Sequence, residues 1–195
     1  PETGPLCGIE VSLRKDHAEL TLDTTGDGLH KRGYRPWVGQ APLRETLAAA
    51  MVLLSFWESD RPLIDPFCGT GTICIEAAMI GRNLAPGLRR SFAAEGWPAM
   101  PEAMWRAARD EARPAERSEL AERICGYDTD EDALRLAREH AKSAGVEDDI
   151  HFQRQDVREL SSSRDYGCVI TNPPYGLRSG HRDEVRDLYR ALPDV

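Results

Sequence analysis

Four short segments of this sequence place acidic, amide or glycine residues directly after an apolar run. They are Asp65 to Gly71, Asp128, Asp156, and Asn172 to Tyr175. If the apolar runs are parallel strands, the four segments meet at one edge of a sheet, where such sheets bind their ligands. Each aspartate taken alone is more often a helix cap or a surface carboxylate. Their recurrence at successive strand ends is what indicates a binding site.

The first segment, with the sequence DPFCGTG, is a glycine loop between a strand and a helix. Gly69 and Gly71 would let a ligand approach the backbone, and the helix start offers free N–H groups. No Lys-Ser or Lys-Thr pair follows, so the loop is not a P-loop. The dinucleotide fingerprint is also excluded, because Cys74 stands where a third glycine is required.

The two aspartates further along have the chemistry to hold a nucleoside. Asp128 can accept hydrogen bonds from both vicinal hydroxyls of a ribose. Asp156, after the next strand, can accept one from the exocyclic amine of an adenine. Together with the glycine loop they indicate a ligand that contains a nucleoside.

The elements that position these segments follow from the apolar pattern. Apolar runs at 63–64, 124–127, 150–152 and 168–171 predict short strands, and helical spacing at 42–57, 73–80 and 130–144 predicts helices. Their alternation predicts an α/β fold in which helices cover both faces of a parallel sheet. We expect strand order 3-2-1-4, with 63–64 beside 168–171 in parallel.

Three stretches need separate interpretation. Residues 6–23 alternate about Lys15-Asp16, which predicts a β-hairpin. Residues 82–115 carry scattered glycines and prolines and predict an insertion that is helical from Glu102 to Ala112. The helix at 42–57 is expected to be buried, with an apolar stripe of Leu43, Leu47, Ala50, Met51 and Leu54.

Composition narrows the function classes. The 195 residues are 41% hydrophobic and 30% charged, and no apolar run reaches the roughly 18 residues of a membrane helix. Five scattered cysteines without a CxxC pair argue against disulfides and zinc, and we expect a cytoplasmic protein without a metal.

The net charge of −8 argues against bulk coating of nucleic acid, although two basic groups stand out: Lys31, Arg32 and Arg35, and Arg82, Arg89 and Arg90. Either group is a solvated surface or a set of phosphate contacts.

The motifs DPFCGTGT, GYDTD, QD and NPPYG, in this order, resemble those of S-adenosylmethionine-dependent amino-methyltransferases. GDGLHKRGYR, APLRETLAAAM and RNLAPGLRRSFAAEGWP extend the resemblance to bacterial RNA guanine-N2 methyltransferases of the large-subunit rRNA type, which carry a THUMP domain. The resemblance implies a Rossmann-like methyltransferase domain at 36–195, truncated after its fourth strand. It also implies that 1–35 ends a preceding RNA-binding region, that the cofactor is S-adenosyl-L-methionine and that the partner is RNA, namely 23S rRNA.

The resemblance also implies individual roles. Asp65, Gly69 and Gly71 would hold the methionine part of the cofactor, Asp128 its ribose and Asp156 its adenine. The full cofactor-binding set is Asp65, Pro66, Phe67, Cys68, Gly69, Thr70, Gly71, Asp128, Thr129, Asp156, Val157 and Asn172, and the catalytic set is Asn172, Pro173, Pro174 and Tyr175.

The segment NPPYG can be a simple turn, since Asn-Pro is common in turns. As a site, its Asn172 oxygen and the Pro173 carbonyl would hold the hydrogens of an exocyclic amine, a poor nucleophile whose lone pair is delocalised. The prolines fix φ, and Tyr175 offers a ring on which a flipped base can stack. The same chemistry serves guanine N2, adenine N6 and cytosine N4. Methylation of tRNA guanine or DNA adenine therefore stays open, as does a cofactor-binding fragment without turnover.

Overall fold

The computed structural model describes residues 4–35, 43–162, 166–174, 186 and 188–190. In chain order the elements are β1 (Gly8–Arg14), β2 (His17–Asp23), α1 (Glu45–Leu54), β3 (Leu63–Asp65), α2 (Thr72–Gly81), α3 (Glu102–Ala112), β4 (Ile124–Asp128), α4 (Glu131–Ala144), β5 (Ile150–Arg154) and β6 (Cys168–Val169). No helix in these ranges is long and apolar enough to cross a membrane.

The parallel sheet has the order β5–β4–β3–β6. Leu63 of β3 lies opposite Ile124 on one side and Cys168 on the other, and both pairings are parallel. The predicted order 3-2-1-4 and the adjacency of 63–64 and 168–171 are therefore confirmed. The last strand is shorter than predicted, although the Ile170 N–H still donates to the Ile64 carbonyl at 3.0 Å.

Helix α2 lies at the centre of the fold. Its residues from Thr72 to Met79 are all buried, and it packs on α1 on one side and on the sheet on the other. The sequence TICIEAAMIG supports this, because it is apolar almost all round. The close approach to β4 requires Gly126, where a Cβ would lie 3.0 Å from the sulfur of Cys74 and 2.8 Å from the Phe152 ring.

Helix α1 presents a different face to the core from the one predicted. Its buried residues are Glu45, Ala48, Ala49 and Val52, while Leu54 of the predicted stripe is 85% exposed. The small side chains of α1 are therefore the buried ones, whereas Leu47, Leu53 and Leu54 are exposed. The prediction that this stripe is buried as a whole is wrong.

The β-hairpin is present with the predicted turn. Ile9 pairs with Leu22 and Val11 with Leu20 in an antiparallel ladder. Lys15 and Asp16 both have positive φ, as a two-residue hairpin turn requires.

The insertion contains α3 with the predicted bounds. Its contact with the preceding loop is aromatic, since the Phe92 and Trp105 rings stack with centroids 5.5 Å apart. It is tied to the hairpin end by the Ala93 and Ala94 N–H groups, which donate to the carbonyls of Thr25 and Thr24. The insertion therefore packs against the segment that precedes α1.

Candidate active site

A cavity of about 550 Å³ lies at the carboxyl edge of the sheet, within the size range of small-molecule sites. It is lined by Pro66, Phe67, Asp128, Thr129, Gln155, Asp156, Val157, Arg158, Asn172, Pro174 and Leu188. All but Gln155, Arg158 and Leu188 were predicted from the sequence. The ends of four strands thus contribute to one cavity, which we call the strand-end cavity.

Asp128 ties the second strand end to the glycine loop. Its Oδ2 accepts from the Gly69 N–H at 2.8 Å, and its Oδ1 accepts from the Asp130 N–H at 3.0 Å. Each carboxylate oxygen can accept a second hydrogen bond. Asp128 can therefore hold the loop and still accept from two hydroxyls in the cavity.

The two glycines of the loop have different structural roles. Gly69 and Gly71 have φ of +52° and +82°, a left-handed conformation that favours glycine. A Cβ on Gly71 would lie 2.8 Å from the Phe152 ring, whereas a Cβ on Gly69 would meet no heavy atom within 4 Å. Gly71 is needed for internal packing, while Gly69 leaves the backbone open to an approaching ligand.

Asp65 lies in the interior rather than on the cavity wall, with 1% of its surface exposed. Its Oδ1 accepts from the Thr171 hydroxyl at 2.6 Å and from the Phe67 N–H at 3.2 Å. Burial raises the pKa of this carboxyl to about 7, and the two hydrogen bonds only partly oppose that shift. Asp65 is therefore not among the residues that line the strand-end cavity, and its contact with the methionine part of a cofactor stays a prediction.

Asp156 lines the cavity in partnership with an arginine that the sequence patterns did not single out. Its Oδ1 accepts from the backbone N–H and the Nε of Arg158, at 2.9 and 2.8 Å. These hydrogen bonds lower the pKa of Asp156 to about 2. The sequence feature that could have indicated this ion pair is the position of Arg158, two residues after Asp156 in QDVREL.

The other predicted residues divide into three groups. Asn172 and Pro174 line the cavity, and Pro173 between them is half-buried. Cys68 is buried, which raises the pKa of its thiol, and the Thr70 carbonyl lies 3.3 Å from Nδ1 of His140. Tyr175 lies outside the described residues. Within the ranges described, no cluster of three or more His, Cys, Asp or Glu could hold a metal.

The basic segment before α1 is partly buried. Arg32 lies 3.4 Å from Glu76, and Arg35 lies 3.4 Å from Glu45 and donates to the Thr72 hydroxyl. Thr72 directly follows the glycine loop, so this hydrogen bond places Arg35 beside the start of α2. These two arginines are held in internal ion pairs and are not a freely solvated surface.

A parallel sheet of this order, with a glycine loop, carboxylates and an Asn-Pro-Pro segment at its carboxyl edge, defines an α/β domain that binds its ligand at the strand ends. The chain belongs to the family described as RMKL-like methyltransferase domain, UPF0020, whose model matches residues 32–195.

Relatives with the same fold are known. The chain is 44% identical over 191 residues to YpsC of Bacillus subtilis (strain 168), provisionally named an RNA methyltransferase, covering 98% of this chain and 50% of YpsC. Among solved structures, SMU.472, provisionally named a methyltransferase and complexed with SAH, is 43% identical with a TM-score of 0.92, covering 100% of this chain and 51% of that one. A predicted N6-adenine-specific DNA methylase from Listeria monocytogenes str. 4b F2365 is 48% identical with a TM-score of 0.92, covering 98% and 50%. The chain therefore spans about half the length of these relatives.

Proposed function

We propose that the full-length protein transfers a methyl group from S-adenosyl-L-methionine to the exocyclic N2 of guanine in RNA, with 23S rRNA as substrate. The observation that carries this proposal is the strand-end cavity, which Asp128, Asp156 and Asn172 line together from three different strand ends. Two of these side chains suit a nucleoside and the third suits an amine.

The cofactor is S-adenosyl-L-methionine. The chain belongs to a methyltransferase family, and a relative 43% identical to it is complexed with SAH, the product that remains after the methyl group has left. When bound, the cofactor supplies a methyl group activated by a sulfonium. The open backbone at Gly69 and the carboxylate of Asp128 in the cavity wall fit this group.

Asp128 and Asp156 are assigned to the nucleoside half of the cofactor. Asp128 has acceptor capacity for two ribose hydroxyls beyond the N–H groups that it already binds. Asp156 is kept ionised by Arg158 and can accept from the adenine amine through its remaining lone pairs. The apolar walls of Pro66, Phe67 and Val157 suit the flat face of the base.

Asn172 is assigned to the target amine. Its side-chain oxygen and the Pro173 carbonyl accept the two amine hydrogens, which leaves the lone pair directed at the methyl group. Both acceptors are neutral, and the value of such hydrogen bonds grows as positive charge develops on the nitrogen. Catalysis on this account is positioning and electrostatic stabilisation, without removal of a proton before attack.

The RNA substrate and the N2 position rest on similarity. The stretches GDGLHKRGYR, APLRETLAAAM and RNLAPGLRRSFAAEGWP resemble RNA guanine-N2 methyltransferases, and YpsC carries the name of an RNA methyltransferase. A THUMP-type RNA-binding domain in the full-length protein and a cytoplasmic location are parts of the same proposal.

A second candidate is methylation of adenine N6 in DNA, favoured by the name of the Listeria relative. Nucleoside mass spectrometry separates the two. The full-length protein is incubated with labelled cofactor and either rRNA from a deletion strain or genomic DNA. We expect N2-methylguanosine in the rRNA, whereas N6-methyladenine in the DNA with unmodified rRNA would contradict the proposal. Residues 1–195 alone, assayed beside the full-length protein, show whether this part has turnover by itself.

A further inference from the structure

A second cavity, of about 630 Å³, lies beside the segment that precedes α1. It is lined by Asp27, His30, Lys31, Arg32, Gly33, Arg35, Arg44, Glu45, Arg89, Arg90 and Ser91, and it shares none of these residues with the strand-end cavity. Six lysines and arginines face two acidic residues here, in a chain whose net charge is −8. We call it the basic cavity.

The basic cavity is assembled from two distant segments. Arg90 of the insertion donates to the carbonyl of Gly28 at 2.9 Å and to that of Lys31 at 3.3 Å. Its guanidinium also lies 4.9 Å from the centroid of the Phe92 ring. Carbonyl and ring contacts fix the arginine without neutralising its charge. The insertion therefore adds net positive charge to this cavity.

The interior side of the basic cavity is also built from arginines. The Arg35 side chain is 7% exposed, and it forms an ion pair with Glu45. The Nε groups of Arg32, Arg35 and Arg90 are buried and have no hydrogen-bond partner among the residues that the structure describes. These buried Nε atoms do not reach a ligand themselves, but the guanidinium groups that they belong to line a cavity rich in positive charge, which favours an anionic ligand.

The basic cavity lies beside the start of α2, the helix that follows the glycine loop. Arg35 bonds to Thr72, the first residue of the helix after the glycine loop, and Arg44 and Glu45 begin α1. An RNA that presents one base to Asn172 carries phosphates on both sides of that base. Arginine forks match phosphate oxygens in geometry as well as in charge.

We propose that the basic cavity binds a backbone phosphate of the RNA substrate and so orients the strand relative to the strand-end cavity. This inference rests on the proposed RNA methyltransferase function. It also gives the insertion a role in substrate binding, because Arg89 and Arg90 belong to it.

The test uses the full-length protein with Lys31→Gln and Arg44→Gln combined. Both side chains are exposed, so the buried pairs of Arg32 and Arg35 remain intact. The matched control combines Arg106→Gln on α3 with Lys142→Gln on α4, which removes the same charge from exposed helix positions. Binding of a single-stranded RNA oligonucleotide is measured as a function of salt, and cofactor affinity is measured by calorimetry.

We expect the slope of log affinity against log salt to become less negative by about 0.7 for each RNA phosphate that the variant no longer neutralises, while the control and the cofactor affinity stay as in the wild type. A slope equal to that of the control would overturn the inference and leave the proposed function standing. A loss of cofactor affinity would also overturn it, since the cavity would then serve the methionine carboxylate. Micromolar binding of inorganic phosphate without an RNA effect would assign the cavity to a free anion instead. A wild-type protein that binds no RNA would overturn both proposals.

Discussion

The Thr171 hydroxyl donates a hydrogen bond to Oδ1 of Asp65 at 2.6 Å, across 106 residues of sequence. Asp65 ends β3 and begins the glycine loop, while Thr171 directly precedes Asn172. The bond therefore joins the loop assigned to the cofactor to the residue assigned to the target amine. Both parts of the proposed site are held by one buried junction.

Replacing Thr171 with valine should destabilise the domain. The change keeps the shape of the side chain and removes the hydroxyl, which leaves the buried Asp65 carboxyl with one partner fewer. Leaving a buried acceptor unsatisfied costs about 1–3 kcal/mol of unfolding free energy. Urea denaturation of the full-length protein measures the loss, and Thr171→Ser, which retains the hydroxyl, should behave like the wild type. Equal stability of the valine variant and the wild type would show that the bond contributes nothing.

The stability of the domain should fall as pH rises toward and through 7. The pKa of Asp65 is about 7 in the folded state against 3.8 for an ordinary aspartate, so the folded state binds more protons between these values. The contribution of Asp65 to the free energy of unfolding is complete below pH 4 and is lost as the pH rises through 7. A raise of this size corresponds to on the order of 4 kcal/mol.

Melting temperatures between pH 4 and 8 measure this dependence. Asp65→Asn, which keeps an oxygen for Thr171 and Phe67, should reduce the slope of the profile, and a smaller slope of the same sign should remain from Glu76, whose pKa is also raised by burial. Asp156 does not contribute to this dependence between pH 4 and 8. Because Arg158 lowers the pKa of Asp156 to about 2, the stability that Asp156 contributes is lost only below pH 4, as the pH falls. A wild-type profile that is already flat between pH 4 and 8 would contradict the burial of an ionisable Asp65.

Alanine at the two loop glycines should separate binding from packing. Gly71→Ala places a Cβ 2.8 Å from the Phe152 ring in a left-handed conformation, so the domain should lose stability. Gly69→Ala meets no neighbour and costs about 1–2 kcal/mol for its left-handed φ alone, yet it should weaken cofactor binding by closing the open backbone. Thermal melting and calorimetry measure the two effects. The reverse assignment would contradict the roles given to these glycines.

Asp128→Ala should weaken cofactor binding at least tenfold. The substitution removes a charged acceptor from the ribose, and hydrogen bonds to charged groups contribute about 1.5–3 kcal/mol each. It also releases the Gly69 N–H, so part of the loss will come from the loop. Asp132→Ala, an exposed carboxylate on α4 outside the strand-end cavity, is the control. Calorimetry that found equal affinities for both variants would exclude a role for Asp128 in binding.

The topology and most of the cavity lining could be predicted because both follow from local pattern. Short apolar runs ending in Asp65, Asp128 and Asp156 specify strands and their carboxyl ends, and the right-handed crossover rule then orders them. Residues that follow the carboxyl ends of parallel strands share the edge of the sheet at which such folds bind ligands, although Asp65 itself is buried. This is why eight of the predicted cofactor and catalytic residues line one cavity.

The features that could not be predicted depended on partners distant in the sequence. Hydrophobic spacing on α1 could not show that Ala48 and Ala49, rather than Leu47 and Leu54, would meet α2. The sequence left solvated surface and phosphate contact both open for Arg32 and Arg35, because their partners Glu76 and Glu45 lie on two different helices. In both cases the environment of the side chain depends on a helix that is distant in the sequence.

The central claim is that Asn172 acts on the target amine and not on the cofactor. It is tested most directly by Asn172→Ala in the full-length protein, with single-turnover methylation of rRNA and calorimetry of S-adenosyl-L-methionine measured on the same preparation. Because its interaction is realised mainly in the transition state, we predict a methylation rate lower by roughly a hundredfold or more with nearly unchanged cofactor affinity. A variant whose cofactor affinity falls more than tenfold but which methylates at the wild-type rate once saturated would make NPPYG a structural turn and contradict the role assigned to Asn172.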